Sequence, residues 1–87
     1  MNYTSYQGRA ITSLIAGALT AAADENIRVR VTKDDKILII GESGHHSRPI
    51  DKETVTTYPA FVCEIVVAFA DYIKAKEEKE TSQALPA

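Results

Sequence analysis

The chain has 87 residues, 45% of them hydrophobic and 25% charged, and its ten basic and twelve acidic side chains give a formal net charge of -2. This length favours one small hydrophobic core over two, and the composition is typical of globular rather than disordered chains. The slight acidity excludes both the strong basic field that attracts phosphate backbones and the extreme acidity of a nucleic-acid mimic.

The single cysteine and the absence of long apolar runs predict a cytoplasmic environment. Cys63 has no partner for an internal disulfide, which favours a reducing compartment. We predict that it is a small buried hydrophobe. The N-terminus has no basic leader before an apolar run, and the apolar segment 59–73 contains Glu64 and Asp71. We therefore expect neither a signal peptide nor a membrane span.

The first predicted element is an amphipathic helix from Ser5 to Ala23. Its large apolar residues recur with the spacing of one helical face. Thr4 or Ser5 can cap its start, and Asn26 suits its end because it tolerates the left-handed conformation. The residues of the predicted buried face are Ile11, Leu14, Ile15, Ala18, Leu19 and Ala22.

A β-hairpin is predicted next, with strands on either side of Asp34 and Asp35. If these two aspartates form a two-residue loop, Val31 faces Leu38 across the hairpin. The predicted inner side then consists of Val29, Val31, Leu38 and Ile40, and the outer side of Arg28, Arg30, Thr32, Ile37 and Ile39. Two isoleucines between two arginines on a face that should be wet indicate a surface covered by another helix or by a partner.

The segment 42–49 contains both histidines, His45 and His46, among glycine, serine and proline, and it is predicted to be an exposed loop. Its end, from Arg48 to Ile50, is a candidate for a short third strand at the sheet edge.

A second, long helix is predicted to start near Tyr58. It is apolar on most of its circumference, which one hairpin and one helix can hardly cover. We therefore predict a homodimer or a standing partner. Dimerisation is expected through this helix, with Phe61, Ala68 and Tyr72 at the contact, or through the outer sheet face. Glu64 should reach water or meet a base such as Arg28 or Arg30. Residues 74–80 form a solvated helix end, and residues 81–87 a flexible tail.

Together these elements predict an α+β fold with the order αββα or αβββα, in one compact domain over residues 1–80. The long C-terminal helix should pack on the antiparallel sheet.

The two adjacent histidines invite a catalytic interpretation, because imidazoles titrate near neutral pH. However, adjacent side chains in an extended segment point in different directions, which disfavours joint action on one atom. The segment also lacks the paired ligands of structural zinc sites, so no metal and no cofactor is predicted. Gly44-His45-His46 resembles a motif of the HicA toxin ribonucleases, which share the helix-strand-strand order, but the match covers three residues and those proteins are typically basic.

The predicted function is therefore that of a small non-enzymatic interaction protein that binds and modulates, most simply inhibits, another macromolecule, in the style of accessory proteins of phages and mobile elements. The alternative is a nucleic-acid binder or a ribonuclease that uses the two histidines. The predicted partner-binding residues are Arg28, Arg30, Ile37, Ile39, His45, His46 and Arg48.

Overall fold

The structure is a computed structural model that describes the fold of residues 1–84 and the side chains of residues 1–79. Its elements are α1 (Tyr6–Ala23), β1 (Arg28–Val31), β2 (Lys36–Gly41), β3 (Gly44–Pro49) and α2 (Tyr58–Ala84). The predicted α+β class is confirmed, in its αβββα form. No helix in this described part is long and apolar enough to cross a membrane.

The three strands form one antiparallel sheet in the order β1-β2-β3. One face of the sheet, which we call the inner face, carries both helices, with α1 beside β1 and α2 over β2 and β3. The core lies between them, and its largest fully buried side chains are Phe61, Ile27, Ile37, Ile39 and Ile65. The opposite face, the outer face, carries no helix within the described residues.

The register of the first hairpin differs from the predicted one by one residue on β2. Val31 pairs with Ile37 and Val29 with Ile39. The turn uses three residues between Thr32 and Lys36 rather than two, because the Thr32 N–H donates to the Lys36 carbonyl at 2.9 Å. Asp35 closes the turn in the left-handed conformation, with φ 57°. Since the side-chain period of a strand is two, this single step exchanges the two faces of β2.

The helix α1 begins as predicted, with the Ser5 side chain accepting from the Gly8 N–H at 3.2 Å. Its C-cap is Asp24, not Asn26. The buried face is also rotated from the predicted one. Leu14 is 74% exposed, whereas Thr12 is buried. Gly8 allows the N-terminal segment to cross the helix closely, because a Cβ there would lie 2.0 Å from the Tyr3 carbonyl oxygen.

The helix α2 lays one stripe of large side chains on the sheet. Phe61, Ala68 and Tyr72 are at most 4% exposed and lie in the chain's own core. The placement predicted for these three residues, at a contact with a second copy, is therefore wrong. Cys63 is exposed rather than buried. The helix also includes residues 81–84, for which a tail was predicted, and residues 85–87 lie outside the described part.

The histidines lie on a strand and not in a loop, which corrects the prediction for residues 42–49. β3 spans Gly44–Pro49 and follows β2 after a two-residue turn at Glu42 and Ser43. His45 pairs with Ile40, and His46 pairs with Ile39. The third strand is thus longer than the predicted segment that begins at Arg48. The part of β3 before Arg48 was not predicted, because its glycine, histidines and serine show no alternation of apolar and polar residues.

Candidate interaction surface on the sheet

The outer face is a surface that no element of the described residues covers. Strand alternation and the observed register define its members. They are Arg28, Arg30, Lys36, Leu38, Ile40, His45, Ser47 and Pro49. The three strands contain no aspartate or glutamate, so every charged side chain on this face is basic.

The middle of the outer face is apolar. Leu38 and Ile40 are only half-buried there, although β2 is the central strand. Ile37 and Ile39, which were predicted to lie on this face, are fully buried under the helices. Their placement among the partner-binding residues is therefore wrong, and the one-residue register step is the reason. The outer face still carries two aliphatic side chains, but these are Leu38 and Ile40 rather than Ile37 and Ile39.

Arginines border this apolar centre without acidic partners. Arg28 and Arg30 are exposed, and no carboxylate within residues 1–79 lies at ion-pair distance from either. Lys36 is different, because its ammonium lies 3.5 Å from Asp34 Oδ2 in the turn. The hydroxyl of Thr32 donates to Asp34 at 2.6 Å and lowers the pKa of that carboxyl. The uncompensated charge of the face therefore belongs to the two arginines.

The two histidines point to opposite sides of β3. His45 is exposed on the outer face beside Ile40, whereas His46 lies on the inner face. The His46 Nε2 atom lies 3.7 Å from Asp71 Oδ2 of α2. The two imidazoles therefore do not converge on a common point. Of the pair, only His45 lies on the outer face.

Arg48, a further predicted partner-binding residue, fastens β3 to α2. Its Nε donates to Glu64 at 2.9 Å, and its Nη1 donates to Asp71 at 3.5 Å. The hydrogen bond with Glu64 raises the pKa of the Arg48 guanidinium. Glu64 was expected to reach water or to meet a base such as Arg28 or Arg30, and the base that it meets is Arg48. The Arg48 side chain is thus engaged within the fold.

A buried carboxylate near the β2–β3 turn was not identified from the sequence. Glu25 is 9% exposed and accepts from the Tyr72 hydroxyl at 2.5 Å and the Glu42 N–H at 3.2 Å, and it pairs with Lys76. The hydrogen bond from Lys76, followed by that from Tyr72, lowers its pKa. All its neighbours are donors, which is typical of a structural ion pair. Nothing in the sequence indicated that Glu25, a charged residue just after a helix, would be buried.

These polar groups offer no metal site. Within the described residues, no three histidine, cysteine, aspartate or glutamate side chains are grouped so that they could hold a metal ion. An open cavity of about 460 Å³ does lie beside the histidines. Its lining includes Ser43, His45, His46, Tyr72 and Lys76. The hydroxyls of Ser43 and Tyr72 in this lining are hydrogen-bonded to each other at 3.0 Å.

An exposed apolar stripe remains on the far side of α2. Its members, at positions i, i+3, i+4 and i+7, are Cys63, Val66, Val67 and Ala70. Val66 is 47% exposed and Val67 is 39% exposed. We call this set the α2 stripe. It is an apolar part of α2 that stays accessible, whereas Phe61, Ala68 and Tyr72 are buried in the core.

No family model matches this chain, and the searches of curated proteins and of solved structures found no match either.

Proposed function

We propose that the protein is a non-enzymatic interaction module that binds an acidic surface of another protein through its outer sheet face. The observation that carries the proposal is the pairing of two exposed arginines, Arg28 and Arg30, with the uncovered aliphatic side chains Leu38 and Ile40. Protein interfaces are enriched in arginine, and a buried apolar centre with a polar rim is their usual arrangement.

A protein partner fits this face better than a nucleic acid does. No tyrosine or phenylalanine lies on β1, β2 or β3, so the face offers no aromatic platform for bases. Two unpaired arginines and Lys36 give few phosphate contacts, and the whole chain is slightly acidic. Leu38 and Ile40 at the centre of the face would gain more from an apolar contact with a protein.

Binding of this kind would modulate the partner by covering its surface, and inhibition is the simplest result. Such a role needs no catalytic group in this chain. His45 and His46 lie on opposite faces of β3, and this placement supports a role without a paired histidine acid–base site.

The test is affinity capture from a bacterial lysate with three forms of the tagged protein, each with and without nuclease. The forms are the wild type, Leu38→Asp on the outer face, and Leu14→Asp as a matched control on α1. Leu14 is 74% exposed, so its change alters charge and apolar area elsewhere. We expect a protein that wild type and Leu14→Asp retain after nuclease treatment and that Leu38→Asp loses.

A zero-length carbodiimide crosslink identifies the chemistry of the contact. It should join the Lys36 amine to an aspartate or glutamate of the captured protein. Equal retention by Leu38→Asp and wild type would place binding elsewhere. Retention of nucleic acid alone, lost on nuclease treatment, would instead favour the second candidate.

That second candidate is nucleic-acid binding without sequence preference, with or without cleavage. The observation in its favour is the basic character of the outer face, on which His45 is also exposed. It requires an affinity that falls steeply with salt. A ribonuclease would also require cleavage that a folded His45→Ala, His46→Ala variant no longer performs.

We further propose that the chain forms a homodimer through the α2 stripe, because this is the exposed apolar surface of the helix from which a dimer was predicted. A dimer formed there would leave the outer sheet face of each copy free for its partner.

A further inference from the structure

A second open surface lies along the edge of the sheet, between α1 and β1. It is a groove of about 520 Å³. The side facing α1 is formed by Arg9, Thr12, Ser13 and Ala16, and the floor is β1 itself, residues 28–31. The walls on α1 are small apart from Arg9, which leaves room beside the strand. The groove therefore runs parallel to a free strand edge.

Backbone groups of β1 point into this groove. Residues facing each other in an antiparallel pair alternate between those that exchange hydrogen bonds and those that do not. Thr32 donates its N–H to the Lys36 carbonyl, so Arg30 and Arg28 are the bonded positions on β1. Val29 and Val31 then direct their N–H and C=O groups away from β2. These four groups are available to another strand.

At Ile27, just before β1, the outward-facing backbone groups of the same edge are already hydrogen-bonded within the fold. The Ile27 N–H donates to the Thr20 hydroxyl at 2.9 Å, and this hydroxyl donates to the Ile27 carbonyl at 3.2 Å. One side chain of α1 thus satisfies both groups of Ile27. Nothing equivalent reaches Val29 or Val31 from the described residues. The open length of the edge is therefore defined at both ends, by Thr20 and by the turn that starts at Thr32.

The charge of the groove decides between possible occupants. Arg28 and Arg30 flank it on the outer-face side, and Arg9 lies on the α1 side. A second copy of the chain pairing edge to edge would bring its own Arg28 and Arg30 against these arginines, and like charges on directly opposed strands repel. A strand carrying carboxylates opposite the arginines would be attracted instead.

We propose that this groove binds an extended acidic segment of a partner protein as a fourth strand of the sheet. The backbone of the segment bonds to Val29 and Val31, in the mode of β-strand addition. Alternate residues are acidic beside Arg28 and Arg30, and the residue between them is apolar and faces α1 near Ala16. The proposal rests on the proposed function for the existence of a protein partner and names how that partner is held.

The test uses the full chain and a capped hexapeptide that alternates glutamate with valine. Amide hydrogen exchange is followed residue by residue by NMR. With the peptide at about ten times its Kd, the Val29 and Val31 amides should exchange about tenfold more slowly. The Arg28 and Arg30 amides, which already bond to β2, are the internal control and should change little. Two control peptides should not slow the exchange of the Val29 and Val31 amides. One has lysine in place of glutamate, and the other has the same residues with all glutamates first and all valines after them.

Two variants separate backbone pairing from other contacts. Val31→Pro removes the N–H that faces the groove, at an edge position where proline is tolerated. Val31→Thr keeps that N–H and the branched shape. We expect Val31→Pro to weaken peptide binding at least tenfold and Val31→Thr to leave it nearly unchanged.

Absence of slowed exchange at Val29 and Val31 overturns the inference. Equal protection by the lysine peptide overturns the argument that the groove selects an acidic segment. Protection that grows with protein concentration in the absence of peptide identifies a second copy of the chain as the occupant. Peptide-induced shifts confined to Leu38, Ile40 and His45 would overturn the strand addition while the proposed outer-face binding stands. Equal capture by Leu38→Asp and wild type, with Val29 and Val31 still protected by the peptide, would overturn the outer-face proposal while the strand addition stands.

Discussion

The Tyr72 hydroxyl of α2 donates a 2.5 Å hydrogen bond to Glu25, the buried carboxylate that follows α1. Together with Lys76, this bond ties the end of α1 to the middle of α2 beneath the β2–β3 turn. Gly41 makes the arrangement possible, because a Cβ there would lie 1.9 Å from the Tyr72 hydroxyl oxygen. The network fixes the geometry of one end of the sheet.

The lowered pKa of Glu25 predicts acid sensitivity. Because its folded pKa lies below its ordinary value of 4.5, the unfolded chain binds the proton more readily. The contribution of Glu25 to stability is thus complete above pH 4.5 and is lost as the pH falls through the folded pKa.

Urea unfolding between pH 7 and pH 3 measures this effect. Glu25→Gln should cost about 1–3 kcal/mol at pH 7, because it removes the buried carboxylate that accepts from Lys76, Tyr72 and the Glu42 N–H, and the gap to wild type should narrow toward pH 3. Glu77→Gln on exposed α2 is the control. A gap of constant size across this range would mean that Glu25 does not titrate as described.

Ile37 and Leu38 test which face of β2 is which. Ile37→Asp should lower the free energy of unfolding by about 4 kcal/mol or more, since it leaves an unpaired carboxylate in the core. Leu38→Asp should cost only about 1 kcal/mol, because the side chain remains at the surface. Urea titrations of the two variants check the pair. Similar losses would mean that the outer face is covered in the folded protein.

The contrast between these neighbours also marks the limit of sequence reasoning. β2 carries Ile37, Leu38, Ile39 and Ile40 in succession, so no alternation within it reports which face is buried. The register then depends on the turn. Asp35 adopts the left-handed conformation there, and a glycine at this position would have indicated such a turn from the sequence.

Other features were accessible from pattern alone. The helices were predicted because apolar spacing extends over several turns, and the outward placement of Arg28 and Arg30 followed from alternation in β1. The site that these arginines share with Leu38 and Ile40 needed the register as well. The roles of Arg48 and Glu25 depend on contacts with α2 that are distant in the chain.

Gly8 and Gly17 in α1 should respond oppositely to alanine. At Gly17 an added Cβ meets nothing within 4 Å, so alanine should stabilise the helix by about 1 kcal/mol. At Gly8 the Cβ would meet the Tyr3 backbone, and Gly8→Ala should be destabilising because it forces the N-terminal segment off the helix. Thermal unfolding of both variants measures this. Stabilisation by Gly8→Ala would contradict the close crossing.

Arg48 should matter for stability rather than for binding. Arg48→Met removes the bonds to Glu64 and Asp71 and should cost about 1–2 kcal/mol in urea unfolding. Partner capture at a temperature where the variant is folded should stay intact. The double variant Arg28→Gln, Arg30→Gln should show the reverse, with stability retained and capture lost. Loss of capture in folded Arg48→Met would assign this arginine to the binding surface.

A charge placed within the α2 stripe should break the proposed homodimer. Val66→Lys introduces a charge into the middle of the stripe at a residue already 47% exposed, so the fold should tolerate it. Sedimentation equilibrium should give a dimer for wild type and a monomer for Val66→Lys, whereas Leu14→Lys on α1 should remain dimeric. Under oxidising conditions, Cys63 on the same stripe reports the contact independently, since a symmetric dimer that brings two copies of it together forms an intermolecular disulfide. A wild-type chain that sediments as a monomer at high concentration would refute the dimer and leave the α2 stripe an ordinary surface.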